Sequence, residues 1–267
     1  MKNKLDYCYH SHTTRCGHAY GTDEAYVKAA IANGFKVIGF SDHIFFPGIS
    51  QPGMRGEYSQ LADYQQSVLQ LKKQYAKDIQ VHLGFEAEYY PVFDTYYQSL
   101  KKDHGFEYLI LGQHFRLVNK SFPIYYASVK DPALIHEYAD SIIAAMKTGL
   151  FSYVAHPDLY MLGYGGGWDE HAKAVAHKLA KASVQFNVPL ELNLGGINGR
   201  GLMMIHGEYR YPYPYEGFWA IAKEYGVTTI VGLDAHAPDA YVGNKYQILF
   251  DIIEKYQLKT INRLRFK

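Results

Sequence analysis

Seven short apolar runs alternate with stretches of helical length along almost the whole chain, and no other feature narrows the possible folds so much. The runs fall at residues 5–12, 36–43, 79–89, 108–115, 152–156, 190–194 and 228–236. Helical stretches separate them, at about residues 23–33, 57–77, 131–148, 169–186 and 216–225, with a short one before the fourth run and a last one at about 241–256. Strand–helix alternation with right-handed crossovers gives a parallel sheet covered by helices. Seven such units predict an α/β fold, a (β/α)7 parallel barrel rather than a doubly wound sheet, and 267 residues suffice for one barrel. No glycine-rich dinucleotide fingerprint or Gly-Lys-Ser/Thr phosphate loop is present. No linker, repeat or low-complexity stretch divides the chain, so residues 1–267 are expected to form a single domain.

The third run separates inside from outside. Ile79, Val81, Leu83 and Phe85 share one face, and Gln80, His82, Gly84, Glu86 and Glu88 share the other. In a barrel wrapped by helices the apolar face packs outward, so the polar face points inward to the mouth, where such barrels carry their chemistry. The same reading applies around the ring. His10 and His12 end the first strand and His18 follows it; His43 ends the second, Glu86 lies near the end of the third, and His114 and His156 end the fourth and fifth. Asp234 and His236 close the seventh. Nine His, Asp and Glu groups aimed at one cavity exceed the three or four ligands of a mononuclear zinc site, which implies two or three divalent metals. Gly84, Gly112 and Gly232 each lie two residues before a candidate ligand, and the missing side chain is expected to clear space for that ligand to bend inward.

Composition limits the partners. The 27 basic and 26 acidic side chains nearly cancel, which disfavours a long nucleic acid, and no apolar run approaches a membrane span. Two cysteines, Cys8 and Cys16, make no disulfide framework, and the first residues lack an apolar signal core, so a cytoplasmic setting is expected. Cys8 shares a strand face with His10 and is read as a small core residue beneath the site. The 26 tyrosines are expected to cover helix–sheet contacts or the surface.

Taken together, His10-Ser-His12, His18, Asp42-His43, Glu86, His114, His156-Pro-Asp158 and Asp234-Ala-His236 resemble the PHP (polymerase and histidinol phosphatase) family, from Tyr9 to about Pro238. The resemblance implies a distorted, TIM-like seven-stranded barrel holding three divalent metal ions: zinc, manganese or iron. It implies that His10, His12 and Asp234 hold one metal, with Glu86 bridging to another; that His18, His43 and His236 hold a second; and that His114 and His156 join Glu86 on the third. Glu191-Leu-Asn193 and Tyr211-Pro-Tyr-Pro match the style of the histidinol-phosphatase branch. The activity so implied is hydrolysis of L-histidinol phosphate to L-histidinol and phosphate, a step of histidine biosynthesis.

A divalent cluster suits phosphate-ester hydrolysis, with a metal-activated hydroxide attacking phosphorus. Glu86 and Asp42 are the expected catalytic residues, Asp42 through proton handling or by orienting its neighbours. Phosphate oxygens not on metals need cationic forks, for which Arg15, Arg200, Arg210 and Arg116 in the loops are candidates, and His206 is a candidate substrate contact. The partner is then a small phosphorylated molecule; oligomeric state is not set by the sequence. Two other readings compete: a PHP-type phosphodiesterase or nuclease acting on nucleotides or short oligonucleotides, and a non-catalytic metal-binding module.

Overall fold

The computed structural model describes residues 4–266. Among the described residues twelve strands are present: β1 (Tyr7–Cys8), β2 (Val37–His43), β3 (Gln80–Ala87), β4 (Tyr108–Leu111), β5 (Phe115–Val118), β6 (Ser121–Tyr125), β7 (Tyr153–Val154), β8 (Leu190–Asn193), β9 (Met203–Ile205), β10 (Glu208–Arg210), β11 (Thr228–Gly232) and β12 (Lys259–Thr260). Eight of them form one parallel sheet in the order β1-β2-β3-β4-β7-β8-β11-β12. The first seven match the runs read from the sequence. β12 was not anticipated, nor were two antiparallel hairpins, β5–β6 and β9–β10, which stand off the sheet in the loops after β4 and β8. The hairpin strands are short and half exposed, and β6 contains Pro123, so neither carries the apolar signature of a core strand.

The sheet curls until its first and seventh strands meet. Just past them Ser11 pairs with Ala235 as an isolated parallel bridge, His12 N–H donating to Ala235 O at 2.9 Å and Ala235 N–H to His10 O at 3.1 Å. Lower down the two sides separate. β12 lies against β11, and Tyr7 Oη donates to Ile261 O at 3.1 Å, so the chain after β12 fills the gap. The result is a distorted TIM-like barrel closed at its upper rim. The chain beyond β12 continues beneath the barrel, where Arg263 forks onto Asp6 and the Phe266 ring sits 4.6 Å from His82 and 5.7 Å from Tyr108.

Helices α1 (Asp23–Ala32), α2 (Leu61–Gln74), α3 (Asp94–Lys102), α4 (Pro132–Thr148), α5 (Glu170–Phe186), α6 (Gly195–Asn198), α7 (Glu216–Glu224) and α8 (Gln247–Tyr256) complete the fold. Their ends follow local chemistry. Asp131 caps α4 with Pro132 at its first position, and Gly149 ends it at φ 68°. Buried tyrosines fasten the layers together. Tyr64 of α2 donates to Gly84 O and accepts from Asp42 N–H, and Tyr97 of α3 donates to Glu88 O, so each phenol fills apolar space while its hydroxyl satisfies strand backbone.

The three glycines read as making room for their own strand's ligands make room across strands instead. A Cβ on Gly84 would strike the ring of Tyr108, one on Gly112 the carboxylate of Glu86, and one on Gly232 the carboxylate of Glu191. Gly84→Ala is therefore expected to overpack the barrel interior and cost about 1–3 kcal/mol. Urea denaturation reads this directly, and an unchanged midpoint would show that Tyr108 yields without strain.

Candidate metal centre

At the upper rim the strand ends bring one carboxylate into a ring of imidazoles. β3 places His43 of β2 directly beside Glu86 in register. Glu86 Oε2 lies 3.1 Å from His43 Nδ1, 3.4 Å from His10 Nε2 and 3.6 Å from His12 Nε2. Its other oxygen, Oε1, lies 2.8 Å from His156 Nε2 and 3.4 Å from His114 Nε2. Glu86 and these five rings are buried. Asp234 closes the near side, its Oδ1 3.0 Å from His12 Nε2 and 3.4 Å from His10 Nε2. His236 stacks on His12 with centroids 4.1 Å apart, and His18 lies 4.8 Å from His236 and 5.4 Å from His43. All nine residues read as ligands thus converge. Two of them hold backbone conformations rare for side-chain-bearing residues, His156 at φ 28° and Asp234 at φ 52°; such strain persists where surrounding structure enforces it.

Second partners fix the tautomers. His18 Nδ1 lies 3.3 Å from Cys16 O and His236 Nδ1 3.0 Å from Asp234 O. Carbonyls only accept, so Nδ1 carries the proton in each and Nε2 keeps its lone pair. His10 Nδ1 likewise donates to Glu191, 2.9 Å away. Its Nε2 is then a lone pair buried against carboxylate oxygens of Glu86 and Asp234, and neither His10 Nε2 nor Glu86 Oε2 has a hydrogen-bond partner. Acceptors facing acceptors in a buried site require a cation between them, and the donor set of imidazoles and carboxylates suits zinc, manganese or iron. Without metal a proton takes that place. Burial opposes the charged form of His10, but the Glu191, Asp234 and Glu86 carboxylates outweigh it and raise its pKa well above the usual value. Burial likewise opposes ionisation of Glu86, yet His114, His10 and His43 hold its pKa well below the carboxylate range. For His43 burial and the neighbouring His12 act together and push the pKa well down.

Grouping by ligand atoms differs in detail from the sets that the resemblance implied. His10, His12 and Asp234 do form one trio. His43 and His236 group with His12, and His18 joins no trio among the described residues. Glu86 belongs to two trios, one with His10 and His156 and one with His43 and His114. His12 also gathers with Cys16 and Asp42 on its far side.

The cluster floors a cavity of about 800 Å³ whose walls include Tyr20, Tyr125, Tyr213, Arg200, Asp239 and Lys245. Arg200 alone among the candidate phosphate-binding arginines reaches it. Arg15 is held by Asp23 at 2.9 Å and Asp63 at 2.7 Å on the outside of the barrel. Arg116 pairs with Glu137 on the β5–β6 hairpin side, and Arg210 spends its fork on the carbonyls of Met161, Tyr211 and Pro212. His206 sits at the turn of the β9–β10 hairpin beside Gly167 and outside the cavity wall. Tertiary pairing captured these cations, which loop position alone does not foretell. Asp42 is also outside the cavity. Fully buried, it accepts from the Thr13 hydroxyl and from His43 N–H and lies 3.6 Å from His12 Nδ1, which places it to orient His12 rather than to exchange protons with a substrate.

Sequence reasoning gave no role to Glu88 and Arg55. Arg55, 2% exposed, forks onto Glu88 at 2.8 and 3.0 Å, and Glu88 lies 3.3 Å from His114 Nδ1. Glu88 was visible on the inward face of the third run; Arg55, in a loop of glycines and prolines, carried no signal.

Residues 9–194, well over half of the chain, match the PHP domain family. The chain belongs to that family. A protein of Deinococcus radiodurans named "Probable histidinol-phosphatase" is 27% identical over 237 residues, covering 86% of this chain and 85% of that protein. Two crystal structures share the fold. One is of a candidate histidinol phosphatase from Listeria monocytogenes (TM-score 0.73, 17% identity, 91% of this chain and 99% of that one). The other is histidinol phosphate phosphatase from Lactococcus lactis, complexed with zinc, L-histidinol and phosphate (TM-score 0.71, 16% identity, 98% of this chain and 99% of that one). Among the described residues no helix is long and apolar enough to cross a membrane.

Proposed function

We propose that this chain is a metal-dependent phosphoric monoester hydrolase that removes phosphate from L-histidinol phosphate. The observation that carries the reading is the Glu86 carboxylate set among five imidazoles beneath a cavity with Arg200 at its wall. The name of the Deinococcus relative and the ligands of the Lactococcus structure support the substrate. His10, His12, His18, His43, Glu86, His114, His156, Asp234 and His236 would hold three divalent ions. Bound there, such ions supply Lewis acidity, lowering the pKa of water toward neutrality and neutralising phosphoryl charge. The remaining work falls to the chain. Asp42 and Glu88 orient His12 and His114. Arg200 offers its fork to phosphoryl oxygens, and Tyr125 and Tyr213 wall the space for the alcohol part of the ester. Two free, buried cysteines fit a cytoplasmic setting.

The test is phosphate release from L-histidinol phosphate by metal-loaded protein, beside a dinucleotide and an aryl phosphate. A kcat/KM above about 10⁴ M⁻¹s⁻¹ on the first is expected. Brisk cleavage of the dinucleotide with weak turnover of the monoester would replace the substrate with a phosphodiester. Within that assay Arg200→Ala should raise KM about 10- to 100-fold, the loss of a charged hydrogen bond of about 1.5–3 kcal/mol. Arg15→Ala, whose guanidinium is committed to Asp23 and Asp63, should leave both constants unchanged.

A further inference from the structure

We propose that Glu191 and Asn193 on β8 form a positioning relay that ties two of the metal-ligand candidates, His10 and His156, to the turn bearing Arg200. The inference rests on the reading of the histidine cluster as a divalent-metal site. Glu191 is fully buried and reaches the cluster from across the barrel. Its Oε1 and Oε2 lie 2.9 and 3.1 Å from His10 Nδ1, which aims His10 Nε2 at Glu86 and Asp234. Its Oε2 also accepts from His156 N–H at 3.2 Å. That bond helps hold His156 in its left-handed backbone conformation, from which its ring reaches Glu86 Oε1. One carboxylate therefore sets two ligands of one trio, His10 and His156 on either side of Glu86, whereas Asp42 and Glu88 each face one histidine.

The relay continues through Asn193. Its Nδ2 donates to Glu191 Oε2 at 2.7 Å, and its Oδ1 accepts from Gly195 N–H at 2.6 Å. Gly195 opens α6, and the chain reaches Arg200 two residues after α6 ends. The start of α6 has no slack, because a Cβ on Gly195 would strike both the Asp234 carboxylate and Asn193 Oδ1. A buried amide that donates to Glu191 and accepts from Gly195 N–H holds the start of α6 in place relative to that carboxylate. The consequence is that Asn193 sets where Arg200 meets a phosphoryl group relative to the cations, while Glu191 sets the cation ligands themselves. Fully connected buried polar networks of this kind fix geometry, and removing an outer partner of a metal ligand costs about 10- to 100-fold in affinity.

The test uses isothermal titration of zinc into metal-free protein and competitive inhibition of the loaded enzyme by orthophosphate, on Glu191→Gln, Asn193→Ala, Arg200→Ala and the Asn193→Ala/Arg200→Ala pair. Glu191→Gln, isosteric and checked for folding by its thermal melt, should lose about 10- to 100-fold in zinc affinity. Asn193→Ala should keep zinc affinity within about threefold. It should raise KM and the orthophosphate inhibition constant about tenfold with kcat less affected, as expected for loss of a hydrogen bond of about 1.4 kcal/mol acting through Arg200. In the double variant the two effects should not add, because Asn193 acts through Arg200. Full additivity, or a Glu191→Gln protein that binds zinc as the parent does, overturns the relay. A parent protein that takes up no zinc, manganese or iron overturns the metal-site reading itself, and the relay with it.

Discussion

Glu86→Gln is expected to lower kcat by more than about 10²-fold and to release part of the bound metal. The substitution keeps the shape of the side chain, so the barrel and the contact with Gly112 should survive. What it removes is the negative charge that five imidazoles surround within 3.6 Å. An outer partner of a ligand is worth about 10- to 100-fold, and a carboxylate shared by two trios should exceed that. Metal content after gel filtration and kcat on L-histidinol phosphate are the two readouts. Unchanged values for both would remove Glu86 from the centre of the site.

Arg55→Met should destabilise the fold by about 3–5 kcal/mol, a loss visible as a thermal midpoint lower by about 10 °C. The reason lies in the surroundings of Glu88. Burial opposes its ionisation, yet the Arg55 guanidinium and His114 hold its pKa down to about 2. Without Arg55 that charge stays buried and unpaired. The Arg55 guanidinium also lies 4.9 Å from the Phe122 ring and 5.3 Å from that of Phe46, so the apolar replacement keeps neighbours but not the charge. A second variant separates charge from packing. Arg55→Met with Glu88→Leu should recover most of the stability while weakening the hold on His114, as reduced metal content. If the single variant melts with the parent, the pair is not what secures this wall.

The barrel was legible because each core strand is a short apolar run bounded by turn residues, and because the two-residue period puts successive candidate ligands on one face. His10 with His12 and Asp234 with His236 were readable in this way, and the structure brings all nine candidates together. Interactions made across the barrel were not. His10 and Glu191 are 181 residues apart, and nothing local marks a carboxylate as the one that orients a given imidazole. Arginines were read by loop position, yet Arg15 and Arg210 found acids and carbonyls nearer than the cavity. The space at Gly84, Gly112 and Gly232 serves side chains of the neighbouring strand, since a pleated strand opens space toward its neighbours as well as along itself.

The seam of the barrel gives the cluster a second consequence. Above β1 and β11 the wall is joined by a single backbone bridge, and the side chains over that bridge are His10 and His12 from one edge and Asp234 and His236 from the other. His12 and Asp234 are 222 residues apart in the chain. Any ion that grips both closes a loop of that length, a constraint worth about 5 kcal/mol in unfolded-chain entropy by analogy with a crosslink. With metal bound as proposed, the same groups would act as a clasp, and a chelator should part the wall there before it loosens anything else.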